Sequence, residues 1–467
     1  MKLLDFIKED DIVLSNTICD TFFGKPCCNS SRVEPGDIFF AIDKGKKYIS
    51  DAIKNGAKAI ICDEIFDGVD IVLKEIRHRF AEYCANYYNH PEKRLKIVAV
   101  VGTNGKTSIT MILSGILKNN SIKVATIGTL GADIAGERYA TGFTTPDSDI
   151  LFCLLNKAVE KGVEVVVMEL SAHAIYLNKA YAIDFDVGIF TNCTQDHLDF
   201  FQTMDKYVKT KASIFLNKSI KTAIINVDDY YGKSIISQRN GTSISYGLYA
   251  KSDYMAKRFD RTKSNYYVNN NLVNTNLCGE YNVYNVLACI ASAVAIGLDF
   301  TSVVESIKSI EEIPGRYNVI KDKGITIVID YAHTPDGLEK VLIAAREMTQ
   351  SRLISVFGCG GNRDKGKRSI MGKVSDRYAD ITILTSDNPR FENPQDIIDQ
   401  IKAGFASINY TCIVDRDDAI QYAISIAGEG DVIVVAGKGA EDYIDEGGVK
   451  RPYSDRSVCE KYLRSRN

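Results

Sequence analysis

Ile97-Val-Ala-Val-Val-Gly-Thr-Asn-Gly-Lys-Thr-Ser-Ile-Thr110 decides the fold of this 467-residue chain. Five apolar residues run unbroken into Gly102, and apolar positions then recur at Ile109, Ile112, Leu113, Ile116 and Leu117. The pattern predicts a buried strand, a tight glycine turn and an amphipathic helix. At such a turn free backbone N–H groups and the positive helix end converge and can cradle a phosphate. Lys106 adds a charge for the terminal phosphates, and the Thr107 hydroxyl is a candidate Mg²⁺ ligand. The common phosphate loop would place glycine at position 100; this chain has Val100, so its loop is the shorter Gly102-Thr-Asn-Gly-Lys-Thr107. A nucleoside triphosphate is the expected ligand of Gly102, Thr103, Asn104, Gly105, Lys106, Thr107 and Ser108.

Outward from this stretch the chain divides into three α/β units, expected at 1–92, 93–312 and 313–467. In the first, Pro35–Ile42 reads as a turn into a buried strand, Ile49–Asn55 as a helix and Ala57–Cys62 as a strand. Asn89-His-Pro-Glu-Lys-Arg94 is polar and proline-broken, the pattern of a linker. In the second, strands expected at 97–101, 123–127, 163–168, 185–190 and 222–226 alternate with helices, as in a parallel sheet with crossovers. The β-branched, Tyr-rich stretch 242–278 is expected to be antiparallel, and Glu311-Glu-Ile-Pro-Gly-Arg316 reads as a second linker. In the third, strands are expected at 325–330, 353–357, 381–385, 412–414 and 431–436. Four of their following loops, Asp330–His333, Gly358–Asp364, Ser386–Arg390 and Gly437–Gly439, should line one crevice at the carboxyl edge of the sheet.

Apolar residues at 45% and charged residues at 25% are ordinary globular values, and a net charge of −3 gives no electrostatic case for nucleic acid or an anionic membrane. Basic clusters such as Arg363 to Arg368 read as pockets for small anions. The twelve cysteines lack C-x-x-C spacing, and Cys62, Cys289 and Cys412 sit in apolar runs, so reduced core thiols and a cytoplasmic location are expected. Residues 1–8 lack the long apolar region of a signal peptide. The apolar run Val286–Leu298 is too short to span a bilayer, so no membrane insertion is expected.

Two further strand ends carry chemistry. Val165-Val-Val-Met-Glu169 places a carboxylate at the end of a buried strand in the sheet that holds the phosphate loop, a position suited to a Mg²⁺ ligand. Phe190-Thr-Asn-Cys-Thr-Gln-Asp-His197 ends in an imidazole. Three of the five histidines, His173, His197 and His333, fall in strand-end loops, and that clustering favours function over a structural role.

Taken together these residues resemble the Mur ligase family of ATP-dependent amide ligases. The resemblance rests on Gly102–Thr107, Thr144-Thr-Pro146, Glu169 with Ser171 and His173, Thr191-Asn192, Asp196-His-Leu-Asp199, Tyr207 with Lys211, and Asn282 with Asn285. Pro314-Gly-Arg316, Asp330–Pro335 and Gly358–Arg368 continue it in the third unit. It implies a three-domain α/β architecture: a nucleotide-sugar domain, a central P-loop parallel-sheet domain and a Rossmann-like C-terminal domain that binds the amino acid. It also implies a reaction in which ATP phosphorylates a carboxylate and an amine displaces the phosphate.

Residue roles follow from the same resemblance. Lys106, Glu169, His197 and Lys211 are catalytic. Thr107 and Glu169 hold one Mg²⁺, and His197 with a carbamylated Lys211 holds a second. Asn282 and Asn285 contact the adenine side, while Arg316, Asp330 and His333 come to the phosphates and ribose from the third unit. Ser30, Thr144, Thr145, Ser171 and Lys179 bind a UDP-N-acetylmuramoyl dipeptide. Arg363, Asp387, Asn388, Arg390, Gly437 and Glu441 bind the incoming amino acid, which the Asp387-Asn-Pro-Arg390 motif implies is meso-diaminopimelate. Partners are then small molecules, without nucleic acid, and the chain is expected to be a monomer.

The chain differs from the family pattern at four places. Asp43-Lys-Gly-Lys-Lys-Tyr-Ile49 is shorter than the usual uridine-diphosphate loop; Ala172 stands where a second serine is usual; Lys179 replaces an arginine; and Gly437-Lys-Gly-Ala-Glu441 lacks a histidine. All four lie toward the substrate ends. A ligase that joins another amino acid, such as L-lysine, to this or a different carboxylate is the alternative. A nucleotide-binding protein without turnover is a third reading, opposed by the intact Lys106, Glu169, His197 and Lys211.

Overall fold

The computed structural model describes residues 1–15, 21–217, 219–260, 265–310 and 312–466. Glu311, at the start of the second expected linker, lies outside them. Three main sheets follow one another along the chain. The first has five strands, ordered Ile12–Ser15, Ile71–Leu73, Ala59–Cys62, Ile38–Phe40 and Pro26–Cys27.

Strand Lys96–Val101 lies inside an eleven-stranded sheet, parallel to Val165–Glu169 on one side and Phe185–Phe190 on the other. Its side chains alternate between two cores, as a two-residue period requires. Ile97, Ala99 and Val101 face Leu151 and Leu155 of helix Ser148–Glu160. Val98 and Val100 face helices Lys106–Asn119 and Glu280–Ala295. Both faces are covered, which explains why the strand reads as a continuous apolar run.

The region expected to be antiparallel is only partly so. Thr242–Gly247 and Tyr254–Asp260 extend the parallel part of the sheet, and antiparallel pairing begins with Asn265–Val268 and Asn271–Asn274. β-Branched and aromatic enrichment predicts a strand but not the direction of its neighbour. Residues 261–264 within this stretch lie outside the described residues.

The stretch 89–94 is packed against its surroundings. Pro91–Arg94 forms a 3₁₀ turn with Pro91 and Glu92 buried, and it contacts helix Ser148–Glu160. Helix Ile76–Tyr87 packs on the same helix. Phe80 and Cys84 therefore share one apolar core with Ile97 and Leu155.

The last sheet has six strands, ordered Asn318–Asp322, Ile325–Asp330, Val432–Ala436, Leu353–Phe357, Ile381–Leu384 and Tyr410–Cys412. All neighbours are parallel except the first pair. Cys412, expected in the core, is exposed on the edge strand, whereas Cys62 and Cys289 are buried. Beneath the carboxyl edge, Arg416 and Asp455 form a fully buried ion pair, Nε–Oδ1 and Nη2–Oδ2 both at 2.8 Å. The same guanidinium donates to the carbonyls of Ser386 (3.3 Å) and Ala436 (2.9 Å), tying two strand-end loops together.

Removing one partner of a buried pair leaves an uncompensated charge, at a cost of about 3–5 kcal/mol. Asp455→Ala is expected to lower the unfolding free energy, read by denaturant titration, by about that amount. The double replacement Arg416→Met with Asp455→Leu should recover part of the loss.

Candidate active site

The phosphate loop owes its shape to the neighbouring strand end. A Cβ on Gly102 would lie 1.8 Å from Thr191 Oγ1, so only glycine permits this approach. Thr191 Oγ1 donates to the Asn104 carbonyl (2.6 Å), Asn192 Oδ1 accepts from the Asn104 N–H (3.0 Å), and the Asn192 carbonyl accepts from the Thr103 N–H (2.9 Å). Gly105 has φ 89° and leads into helix Lys106–Asn119, and a Cβ there would meet Asn285 Oδ1 at 2.8 Å. Asn285 in turn donates to Asn282 Oδ1 (3.0 Å), so both asparagines stand behind the loop. Lys106 Nζ donates to the carbonyls of Gly102 and Thr103, each at 2.9 Å.

The third unit closes over this loop. Gly315, at φ 67°, has no room for a Cβ because the Ala440 nitrogen would lie 2.0 Å away. The tight Pro314-Gly-Arg316 turn so formed sends Arg316 across to the central unit, where Nη2 donates to Thr107 Oγ1 (3.0 Å) with the guanidinium over the Tyr331 ring. Asp330 accepts the N–H groups of Tyr317 (2.8 Å) and Ala332 (2.7 Å), fixing the backbone beside Arg316 and His333. Asn104 Nδ2 donates to Asp336 Oδ2 (2.7 Å) at the start of helix Pro335–Met348.

Glu169 is buried and accepts from the N–H (2.9 Å) and hydroxyl (3.0 Å) of Thr129. Thr129 Oγ1 also meets Thr144 Oγ1 at 3.1 Å. Thr145 Oγ1 donates to the Glu169 carbonyl (2.9 Å) and accepts the Ser171 N–H (3.0 Å), and Ser171 caps helix Ala172–Tyr176. Lys179 pairs with Asp147 (2.8 Å), just past Thr144 and Thr145. Ser30 begins the turn Ser30–Arg32, from which Arg32 reaches Asp149 (3.2 Å) and Asp147 (3.6 Å).

Lys211 is buried to 1% exposure, with Nζ donating to Thr103 Oγ1 (2.7 Å) and lying 3.9 Å from the Tyr207 ring centroid. Burial pushes its amine down to about 7; the charge of Lys106 acts the same way, while Cys193 and Asp196 oppose it. His197, in the left-handed region at φ 56°, is pushed down to about 3 by burial against the pull of Asp196. Its imidazole is therefore neutral at neutral pH, the form that ligates metals. Tyr207 stands between the two residues, 6.4 Å from the His197 ring. The His173 ring packs edge-on to His197 at 4.7 Å.

Two residues outside the expected set tie the units together. Asp196, 5% exposed, lies 3.3 Å from His197 Nε2, 3.8 Å from Lys367 Nζ and 4.0 Å from His333 Nε2. Burial opposes its charge, yet Lys367 and the two imidazoles hold its carboxyl well below the usual range. Asp196 directly precedes His197 in the quoted motif, a signal available in the sequence. Lys367 was legible only as one of a basic run. Three of the four cations of that run already have internal partners, which the anion-pocket reading did not anticipate. Lys367 faces Asp196, while Arg368 (0% exposed) and Lys365 pair with Glu392. Arg363 is exposed.

In the crevice at the carboxyl edge of the last sheet, fully buried Lys438 donates to Asn388 Oδ1 and Glu441 Oε2, both at 3.1 Å, and to Asp387 Oδ1 at 3.4 Å. Asn388 Nδ2 donates to Glu441 Oε2 (2.9 Å), and Tyr331 OH donates to Glu441 Oε1 (3.5 Å). Gly437, at φ 118°, would press a Cβ against Asp387 Oδ2 at 2.9 Å. Arg390 Nη1 donates to the Gly361 carbonyl (2.8 Å). Lys438 was absent from the expected site, although it sits inside the Gly437-Lys-Gly439 loop.

This site combines a glycine phosphate-loop turn with a polar crevice on a facing Rossmann-like sheet, an arrangement like that of the ATP-dependent amide ligases. Residues 100–293 match the Mur ligase middle domain and residues 315–439 the Mur ligase, glutamate ligase domain. The chain belongs to the Mur ligase family. It is 38% identical to a UDP-N-acetylmuramoyl-L-alanyl-D-glutamate--2,6-diaminopimelate ligase of Clostridium botulinum, over 93% of this chain and 94% of that one. The identity to the ligase of the same description from Syntrophomonas wolfei is also 38%, covering all of both chains. Among solved structures, one of a UDP-N-acetylmuramoyl-L-alanyl-D-glutamate--2,6-diaminopimelate ligase superposes with a TM-score of 0.69 at 28% identity, over 100% of this chain and 99% of that one. The fold also matches that of a MurF ligase from Thermotoga maritima solved with ADP, with a TM-score of 0.64 at 20% identity over 95% and 98% of the two chains.

A base whose pKa falls on folding is destabilising while protonated. That cost is complete below about 7 and fades as pH rises toward the ordinary lysine value. In CO₂-free buffer the stability of the wild type is therefore expected to rise from pH 7 upward relative to Lys211→Met, as read by denaturant titration at each pH.

Proposed function

We propose that the chain joins meso-diaminopimelate to the D-glutamyl γ-carboxylate of UDP-N-acetylmuramoyl-L-alanyl-D-glutamate at the expense of ATP, a step of peptidoglycan synthesis. The observation that carries this reading is the 3.0 Å contact from Arg316 to Thr107, which brings the acceptor unit onto the phosphate loop. Full-length likeness to the named diaminopimelate ligases supports the choice of substrates.

Loop N–H groups, Lys106 and Arg316 bind and orient the γ-phosphate, offsetting the repulsion between it and the substrate carboxylate. Transfer of that phosphoryl group gives an acyl phosphate and ADP. The amine of the acceptor attacks the acyl carbon, and the tetrahedral adduct collapses to amide and phosphate. Contacts of Asn104 with Asp336 and of Asp196 with Lys367 keep the units closed, so water is excluded from an acyl phosphate that would hydrolyse.

Mg²⁺ suits the residues present. Glu169 is a buried carboxylate held by neutral donors, with no basic side chain at ion-pair distance among the described residues. Thr107 and Glu169 would hold one ion, and His197 with a carbamylated Lys211 a second; the ions would neutralise phosphate and carboxylate charge. A Lys211 amine that titrates at about 7 is largely neutral just above that pH. As a neutral amine it can add CO₂ and lose a proton to become the carbamate. We assign the enzyme to the cytoplasm, acting as a monomer.

Incubation of the purified protein with ATP, Mg²⁺, the UDP-muramoyl dipeptide and single amino acids, read by mass spectrometry, is expected to give ADP and the diaminopimelate-containing product. A product with L-lysine alone would assign the chain to the alternative ligase, and no product with any amino acid would make it a binder. Arg316→Ala should lower kcat/KM on the order of 100-fold or more, the loss typical of one electrostatic donor at a reacting group. Lys211→Ala should abolish product formation while still binding ATP.

A further inference from the structure

Strands Tyr443–Glu446 and Val449–Pro452 form a hairpin that turns at Gly447 and Gly448, both with positive φ (61° and 83°). The hairpin lies against Asp387-Asn-Pro-Arg390, and one of its residues touches both side chains read above as contacts to the amino acid. The Asp445 N–H donates to Asn388 Oδ1 (2.9 Å), and the Asp445 carbonyl accepts the N–H of Arg390 (2.9 Å). Asp445 Oδ2 lies 3.9 Å from Arg390 Nε, and Oδ1 accepts the Gly448 N–H (3.1 Å). Arg390 itself has φ 51°, a conformation few non-glycine residues hold without such backbone anchoring, and the Gly447 N–H closes the bridge onto its carbonyl (2.6 Å).

These contacts hold the guanidinium from two sides. Nη1 is committed to the Gly361 carbonyl and Nε faces Asp445, so Nη2 is the nitrogen left to meet a ligand. At 3.9 Å, with both side chains about a fifth exposed (21% and 17%), the ion pair steers the plane of the fork without saturating it. A planar guanidinium gains its selectivity for carboxylates from orientation, so whatever fixes its plane also fixes that selectivity.

We propose that Asp445 is a positioning residue that sets the preference for an amino acid bearing a carboxylate at its far end. It does so by aiming Arg390 while its main chain holds Asn388. The proposal rests on the reading of the protein as a diaminopimelate ligase. L-Lysine lacks the distal carboxylate and does not depend on the aim of Arg390.

Asp445→Asn keeps an oxygen for the Gly448 N–H and both main-chain contacts while removing the charge. With the full-length enzyme, the KM for meso-diaminopimelate should rise roughly tenfold, the scale of a lost charge-assisted alignment, while kcat, the KM for ATP and Tm stay unchanged. Forced turnover of L-lysine at high concentration should not change, so the preference ratio falls with the KM. Asp445→Glu, which restores the charge, should recover part of it. A diaminopimelate KM within about twofold of wild type in Asp445→Asn, or an equal rise for both amino acids, overturns the proposal. A wild type that does not join diaminopimelate at all overturns the acceptor reading first, and this inference with it.

Discussion

The contact between Gly102 and Thr191 governs the centre of this protein. Two parallel strand ends come so close that a single methyl group on Gly102 would overlap the threonine hydroxyl. That approach lets Thr191 and Asn192 take over hydrogen bonds that the phosphate loop cannot make to itself. The shorter loop, without glycine at position 100, is thus supported from the next strand. Lys106, Thr107 and the start of helix Lys106–Asn119 inherit their positions from that support.

Charge is distributed around the loop so that nearly every buried ion has a partner on another element. Asp196 faces Lys367 and His333 from the third unit, and Arg416 meets Asp455 beneath the strand ends. Such pairs repay their desolvation only when the geometry is complete. Docking of the third unit is therefore specified by position and not by apolar area alone. Lys211 and Glu169 are among the exceptions: the amine meets a hydroxyl, an aromatic face and the Cys193 thiol, the carboxylate meets neutral donors, and neither has an opposite charge at ion-pair distance among the described residues. The depressed pKa of Lys211 follows from burial, with the charge of Lys106 acting the same way.

Much of this was legible in the chain. The apolar run into Gly102, the alternation of strands and helices, and the polar loops after 330, 357, 384 and 436 all follow from local pattern, because buried parallel strands and glycine turns leave local signatures. Glu169 and His197 stand out at the polar ends of apolar strands, whereas Lys211 is an unremarkable helix lysine that only the family resemblance singles out. Pairings across the sequence stayed hidden. Nothing near Lys367 announces Asp196, and nothing in a β-rich stretch says that Thr242–Gly247 runs parallel to its neighbour. Polarity and proline at 89–94 suggested a free connector, whereas the turn there is held by packing that only the folded chain supplies. The Glu446-Gly-Gly-Val449 turn is a hairpin signal readable in the sequence alone.

The packing of helix Ile76–Tyr87 on helix Ser148–Glu160 has a consequence for how such chains can diverge. Because Phe80 and Cys84 share their core with Ile97 and Leu155, the first sheet does not end where its own strands end. A recombination event that exchanged the first ninety or so residues would inherit half of an apolar interior and meet a foreign other half. New properties of the first unit should therefore arise by point changes in surface segments such as the 3₁₀ helix Asp43–Tyr48, with the helical seam left intact. The modular look of three successive sheets hides a joint across which evolution must move both sides at once.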